Sequence, residues 1–259
     1  MTGLELRSGD YDAIVLDLDG VITDTAATHE AAWRRLFDSV LAQRPPREGE
    51  DHRPFTRADY LAYVDGKARY DGAHDFLVSR GVEIPWGAAT DPPQRETVCG
   101  LANRKDGYFV RLLATRGPHV FDSTVRLVTD LRRLGLGVAV VSASRHCRTV
   151  LAAAGLSALF PVRVDGVDAD RLGLPGKPDP AIFLEAARRL NADPRRMILV
   201  EDAEAGVTAG ARGGFGVVIG VDRFGAGDRL RACGADVVVS DLGEVQLVIT
   251  EHPTVSDRR

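Results

Sequence analysis

Asp17 and Asp19 stand two residues apart at the end of an apolar run, residues 13–18, and Gly20 follows them. On an extended segment, side chains at that spacing leave on the same side. A glycine lets the chain turn at once. Two carboxylates so close repel each other unless a cation or a proton intervenes. A second acidic pair, Glu201-Asp202, closes another apolar run, residues 197–200. Oxygen-rich acidic sites of this type suit Mg²⁺, which keeps several waters and shares a substrate phosphate. Acids that merely cap turns would explain one such pair. Two pairs at two strand ends point to a Mg²⁺ centre of Asp17, Asp19, Glu201 and Asp202.

Lysine is rare. Lys and Arg together number 33, and only Lys67, Lys105 and Lys177 are lysines, which leaves 30 arginines. Lys177 lies in Gly176-Lys177-Pro178-Asp179-Pro180. Pro178 favours an extended Lys177, and Asp179 is placed to cap a helix with Pro180 at its first position. A lysine there can neutralise a carboxylate and a phosphate together; the plainer alternative is a solvated loop lysine. Ser142 and Ser144 end a third run, residues 138–141. Alone they are turn formers; beside Asp17 and Lys177 they read as phosphate ligands. Thr25, His29 and Trp33 recur at four-residue spacing, so on a helix they share one face. That helix would start just after Asp24, with its first turn facing the same pocket. Trp33 reads equally as core packing. Lys67, in Asp65-Gly66-Lys67-Ala68-Arg69, and Lys105, in Asn103-Arg104-Lys105-Asp106, bring clustered positive charge, as a phosphosugar pocket needs. A solvated basic patch is the alternative.

The elements that must position these residues are short apolar runs at 13–18, 138–141, 197–200, 217–221 and 237–239, with helical patterns between most of them. Continuously apolar strands alternating with helices predict an α/β fold with a Rossmann-like parallel sheet covered on both faces. Ligands of such sheets sit beyond the carboxyl ends of the strands. Residues 25–116 interrupt the alternation with helical periodicity and a proline-rich loop, so they read as an inserted α-helical cap domain. The core is then 1–24 and 117–259. The 259 residues suit one large or two small domains. A net charge of −4 argues against nucleic acid or an acidic membrane as partner. No apolar run approaches the ~18 residues of a membrane span, and no signal peptide is visible. Three scattered cysteines make neither a disulfide framework nor a zinc site. A cytoplasmic protein with reduced thiols is expected. Gly214-Phe215-Gly216 lacks the spacing of a dinucleotide fingerprint. The polar tail after about Ile249 is expected to be loosely ordered.

In order and spacing, Asp17-Leu18-Asp19-Gly20-Val21-Ile22-Thr23-Asp24, Ser142, Gly176-Lys177-Pro178 and Glu201-Asp202-Ala203 resemble the four motifs of the haloacid dehalogenase superfamily, over nearly the whole chain. Thr23-Asp24-Thr25-Ala26 followed by His29 and Trp33, Val141-Ser142-Ala143-Ser144-Arg145, Gly66 with Arg69, and Asn103-Arg104-Lys105 resemble its β-phosphoglucomutase-like subfamily. The resemblance implies Asp17 as the nucleophile that forms an aspartyl phosphate, and Asp19 as general acid and base. It implies Mg²⁺ on Asp17, the Asp19 carbonyl and Asp202, with Glu201 as ligand or support. Ser142 and Lys177 would stabilise the moving phosphoryl group. Arg69 and Ser144 would hold a second phosphate, with Ala143, Arg145 and His146 around it. His29 and Lys105 would couple cap closure to Asp19; Thr25, Trp33, Gly66 and Lys67 would complete the pocket.

The partner implied is a small phosphorylated sugar, and a self-contained pocket allows a monomer. The implied reaction interconverts β-D-glucose 1-phosphate and glucose 6-phosphate through the 1,6-bisphosphate. A sugar-phosphate phosphatase, acting for example on trehalose 6-phosphate, is the alternative. A non-catalytic binding protein on the same scaffold fits less well, because every expected acid, Ser142 and Lys177 are present. The sequence departs from the pattern at Asp65, where a lysine is expected, at His146 for an asparagine, at Asp122-Ser123 for Pro-Gly, and in a longer cap between Arg80 and Val98.

Overall fold

The computed structural model describes residues 5–7, 9–45, 47–223 and 225–248. Its strands are β1 (Glu5–Arg7), β2 (Ala13–Asp17), β3 (Gly137–Val141), β4 (Val162–Val164), β5 (Met197–Glu201), β6 (Val217–Val221), β7 (Val237–Val239) and β8 (Gln246–Val248). Six form one sheet in the order β4-β3-β2-β5-β6-β7, and every pairing is parallel. Strand β2 is buried along its whole length because both faces of the sheet are covered. Ile14 and Leu16 join one apolar cluster with Val138, Val140, Ile198 and Val200. Ala13 and Val15 join the other, with Ala139, Val141 and Leu199. The two-residue period sorts each strand between two cores.

From β2 the chain passes to β3 on one side, and β5 later pairs on the other. That reversal is the place where open α/β sheets bind ligands. Register puts Asp17 opposite Val141, and Glu201 opposite Gly220. The polar residues that close β2, β3 and β5 therefore share one edge.

Helices α1 (Ala26–Gln43), α2 (Arg57–Asp59, continuing as a π-turn over Tyr60–Val64), α3 (Arg69–Ser79), α4 (Val98–Arg116) and α5 (Asp122–Arg133) lie between β2 and β3. Then follow α6 (Cys147–Ala153), α7 (Gly166–Leu172), α8 (Ala181–Leu190), α9 (Glu204–Arg212) and α10 (Gly227–Ala232). Helices α1 to α4 carry a cluster of their own, centred on aromatic rings. Phe37 lies 4.1 Å from Phe76, 5.1 Å from Trp33 and 5.2 Å from Phe55, centroid to centroid. Ala32 and Phe109, by contrast, pack into the cluster beneath the sheet, so this helical layer sits on the sheet edge.

The strands β1, β4 and β8 have no counterpart in the sequence reading: each has three residues and carries a polar one, whereas the equally short β7 is a continuous apolar run. Helix α8 starts one residue later than expected: Pro180 is the cap, and Asp179 Oδ1 accepts from Ala181 N at 2.9 Å. The Lys177–Pro178 peptide is cis. Cys99, Cys147 and Cys233 are free thiols. No described helix is long and apolar enough to cross a membrane. The tail after Ile249 lies outside the described residues.

Phe37→Ala should lower the unfolding free energy by about 3–5 kcal/mol in urea titration, because it empties the centre of the aromatic cluster. Val78→Ala, at a side chain 54% exposed, should change it by less than about 0.5 kcal/mol. Equal effects would contradict a separately packed helical layer.

Candidate active site

The Lys177 ammonium sits between two carboxylates, 2.5 Å from Asp17 Oδ1 and 2.5 Å from Glu201 Oε1. Its side chain is 1% exposed. Burial alone would strip its proton, but the two acids outweigh that and hold its pKa above the usual lysine range. Asp17 Oδ2 accepts from the Asp19 backbone N–H at 2.9 Å. Glu201 Oε2 accepts from Ala203 N at 2.7 Å. Helix α9 lies directly against this carboxylate: a Cβ on Gly206 would stand 1.7 Å from Glu201 Oε1. Both acids are thereby fixed in orientation, Asp17 with its face to the cleft and Glu201 beneath it.

Asp19 is held differently. Its Oδ1 accepts from Thr25 Oγ1, and its Oδ2 accepts from Ser142 Oγ at 3.2 Å. Thr25 is buried behind it and does not line the cleft. Burial, helped by the Asp17 charge and opposed by the two hydroxyls, pushes Asp19 up to about 6. A carboxyl in that range can both give and take a proton near neutral pH.

His29 Nε2 stands 3.7 Å from Asp19 Oδ1, and its Nδ1 is 2.6 Å from Lys105 Nζ. The imidazole stacks on Phe109 at 4.0 Å, and Lys105 lies over the Trp33 and Phe109 rings. Burial lowers Lys105 to about 7 and, with the Lys105 charge, holds His29 neutral. When Lys105 is charged it has only donors, so Nδ1 then accepts and the ring proton is on Nε2, facing Asp19. Helix α4 thus reaches the Asp19 carboxyl through one imidazole.

The cleft holds about 650 Å³, counting its open mouth. Asp17, Asp19, Asp202, Ala143, Ser144 and Arg145 line it from the sheet; His29, Trp33, Gly66, Lys67, Arg69 and Lys105 line it from the helices. Ser142 lies below it, with its Oγ accepting from Ser144 N at 3.0 Å. Ser144 Oγ accepts from His146 N at 3.2 Å. Lys67 is paired with Asp75 at 2.7 Å and Arg145 with Asp170 at 3.1 Å. His146 does not line the cleft; its Nε2 meets Asp106 Oδ1 at 2.8 Å, and Arg69 Nη1 meets the same oxygen at 2.8 Å.

Sequence reasoning missed Tyr60, Asp65 and Asp106 as members of the site. Asp65 registered only as a departure from a pattern. Its carboxyl bonds to Tyr60, and burial pushes it up to about 6.

Glu201 does not line the cleft, and Lys177 Nζ and the Ala203 N–H each bond one of its oxygens. Among the described residues no three acidic, histidine or cysteine side chains close around one point. What remains is a smaller set. Asp202 accepts no hydrogen bond among the described residues, its Oδ2 stands 1.8 Å from where a Gly20 Cβ would be, and burial beside Asp65, Glu201 and Asp17 drives its pKa well up. An oxygen-only site short of positive charge fits a hard divalent cation that keeps most of its waters.

A family model for haloacid dehalogenase-like hydrolases matches residues 11–214, and the chain belongs to that family. Relatives alike along about nine-tenths of the chain include β-phosphoglucomutases and a validoxylamine A 7'-phosphate phosphatase of Streptomyces hygroscopicus, 27% identical over 91% of this chain and 96% of its own. A Mycobacterium tuberculosis protein named β-phosphoglucomutase is 48% identical over 237 residues, 90% of each chain. A crystal structure of β-phosphoglucomutase from Clostridium difficile superposes with a TM-score of 0.72 at 26% identity, covering 90% of this chain and 92% of that one. A Mycobacterium leprae trehalose-phosphate phosphatase is 47% identical over 128 residues, 48% of this chain and 28% of its own.

Asp19 carries a stability prediction. A carboxyl raised from 3.8 to about 6 on folding contributes fully below its unfolded pKa and loses that contribution as pH rises through about 6. In EDTA, Asp19→Asn should therefore gain about 1–3 kcal/mol of unfolding free energy at pH 8 and almost none at pH 4. A gain independent of pH would contradict the raised pKa.

Proposed function

We propose that the chain is a Mg²⁺-dependent phosphoryl transferase that interconverts β-D-glucose 1-phosphate and glucose 6-phosphate through a 1,6-bisphosphate. Residues 25–116 act as a cap over a core of 1–24 and 117–259. The observation that carries the reading is the chain of contacts Lys105–His29–Asp19, which ties the cap to the acid–base carboxyl.

Asp17 attacks the phosphorus of the bisphosphate in line with the departing sugar oxygen. Asp19 gives that oxygen its proton. In the other half, Asp19 takes the proton from the C6 hydroxyl of an incoming β-D-glucose 1-phosphate as its oxygen attacks the phosphoryl group on Asp17; this frees the Asp17 carboxylate and forms the bisphosphate, which leaves and rebinds the other way round. Lys177 and Ser142 sit where charge spreads over the phosphoryl oxygens. Asp17, Asp202 and the Asp19 carbonyl would hold Mg²⁺, whose charge offsets that of the reacting phosphate. Arg69 and Ser144, with Arg145 and His146 nearby, hold the second phosphate. Gly66 lets the cap meet the core closely: a Cβ there would lie 2.9 Å from Ala203 Cβ. Closure excludes water from the aspartyl phosphate, which separates a mutase from a phosphatase.

Asp65 favours a second reading, hydrolysis. It places a carboxyl in the cleft where a lysine is expected, and a carboxyl can accept a proton from water.

A phosphorus NMR time course with Mg²⁺, β-D-glucose 1-phosphate and a trace of glucose 1,6-bisphosphate separates the two. The mutase reading predicts glucose 6-phosphate without inorganic phosphate, and loss of conversion in Asp19→Ala. Inorganic phosphate as the sole product would replace it with the phosphatase.

A further inference from the structure

The cap segment between Val82 and Val98 has no role in the chemistry above, yet it is firmly built. Val98 N and Cys99 N donate to the carbonyls of Pro85 and Trp86 at 3.0 Å. The Asp91 carboxylate takes bonds from Thr97 Oγ1 at 2.7 Å, Arg95 at 2.8 Å and Ala88 N at 3.2 Å. Asn103 Nδ2 donates to the carbonyls of Ala89 and Asp91 at 3.1 and 2.9 Å. Gly87 turns at φ +80°, where a Cβ would stand 2.2 Å from Asp91 Oδ2. This network holds Trp86 in place with 46% of it exposed.

Trp86 borders a second cavity between the helical layer and the sheet, about 830 Å³ counting its open mouth. Tyr70 lines the same space, its hydroxyl bonded to Asn103 at 3.2 Å and one ring face under the Arg69 guanidinium, 5.1 Å from the centroid. Asp71 and Asp170 add carboxylates. Arg69, Ala143 and Arg145 border this cavity and the Asp17 cleft alike, so the two adjoin.

Indole and phenol faces suit the C–H face of a pyranose, and carboxylates with an arginine suit its hydroxyls. Lys177, bridged to Asp17 and Glu201, borders the cavity as well, and the five charges of Arg69, Asp71, Arg145, Asp170 and Lys177, mixed in sign, disfavour a purely apolar guest and suit a neutral, hydroxyl-rich one. We infer that this cavity is a carbohydrate subsite. It takes the neutral ring of a phosphorylated disaccharide whose phosphorylated ring lies in the Asp17 cleft. The inference rests on the sugar-phosphate reading of that cleft and extends the substrate class to two-ring phosphosugars.

Calorimetric titration tests it, with Mg²⁺ and in an Asp17→Asn background so that nothing turns over. Trehalose 6-phosphate should bind at least about tenfold tighter than glucose 6-phosphate. Trp86→Ala should abolish that advantage and Trp86→Phe should restore most of it. Equal binding of the two phosphosugars, or equal weakening of both by Trp86→Ala, would overturn the subsite alone. Binding of neither would overturn the sugar-phosphate reading and the subsite with it.

Discussion

Lys177 holds together a site that would otherwise push itself apart. Asp17, Glu201 and Asp202 are delivered to one sheet edge by β2 and β5, with Asp19 and Asp65 close by. One buried ammonium bridges two of these acids at 2.5 Å. Removing one partner from a buried ion pair leaves an unpaired charge that costs about 3–5 kcal/mol. The neighbouring glycines follow from this demand: Gly20 leaves room for Asp202, and Gly206 lets a helix rest on Glu201. Even so, negative charge exceeds positive charge at this edge, and that imbalance is what makes the site receptive to a cation and to a phosphoryl group carried with it.

The helical layer supplies the opposite sign. Lys105 and Arg69 face the acids from across the cleft, each through an intermediary that fixes it. His29 stands between Lys105 and Asp19; Asp106 stands between Arg69 and His146. Separating the two layers would break both links, so the placement of the helical layer and the electrostatic setting of Asp19 are one variable. This supports the proposed link between closure and proton transfer.

Much of this was legible in the sequence because parallel strands end in polar punctuation. The runs closed by Asp17, Ser142 and Glu201 are the three strands that converge, and the rarity of lysine directed attention to Lys177 and Lys105. What was not legible depends on direction or on tertiary approach. Glu201 and Asp202 are adjacent in sequence, which suggested a shared ligand role. Successive residues leaving a strand point to opposite sides, so one pairs with Lys177 below and the other faces the cleft. Tyr60, Asp65 and Asp106 acquire meaning only when the helices meet the sheet edge. The loop around Trp86 has no periodicity, and its order comes from Asp91 and Asn103 reaching back to its backbone.

The central claim is that phosphoryl transfer passes through the Asp17 carboxylate. Rapid acid quenching during turnover, then proteolysis and mass spectrometry of the peptides, tests it most directly. The account predicts one phosphoryl group on the peptide carrying Asp17, formed within the first turnover and absent in Asp17→Asn. Sustained turnover with no phosphopeptide, or with the label on another residue, would contradict it.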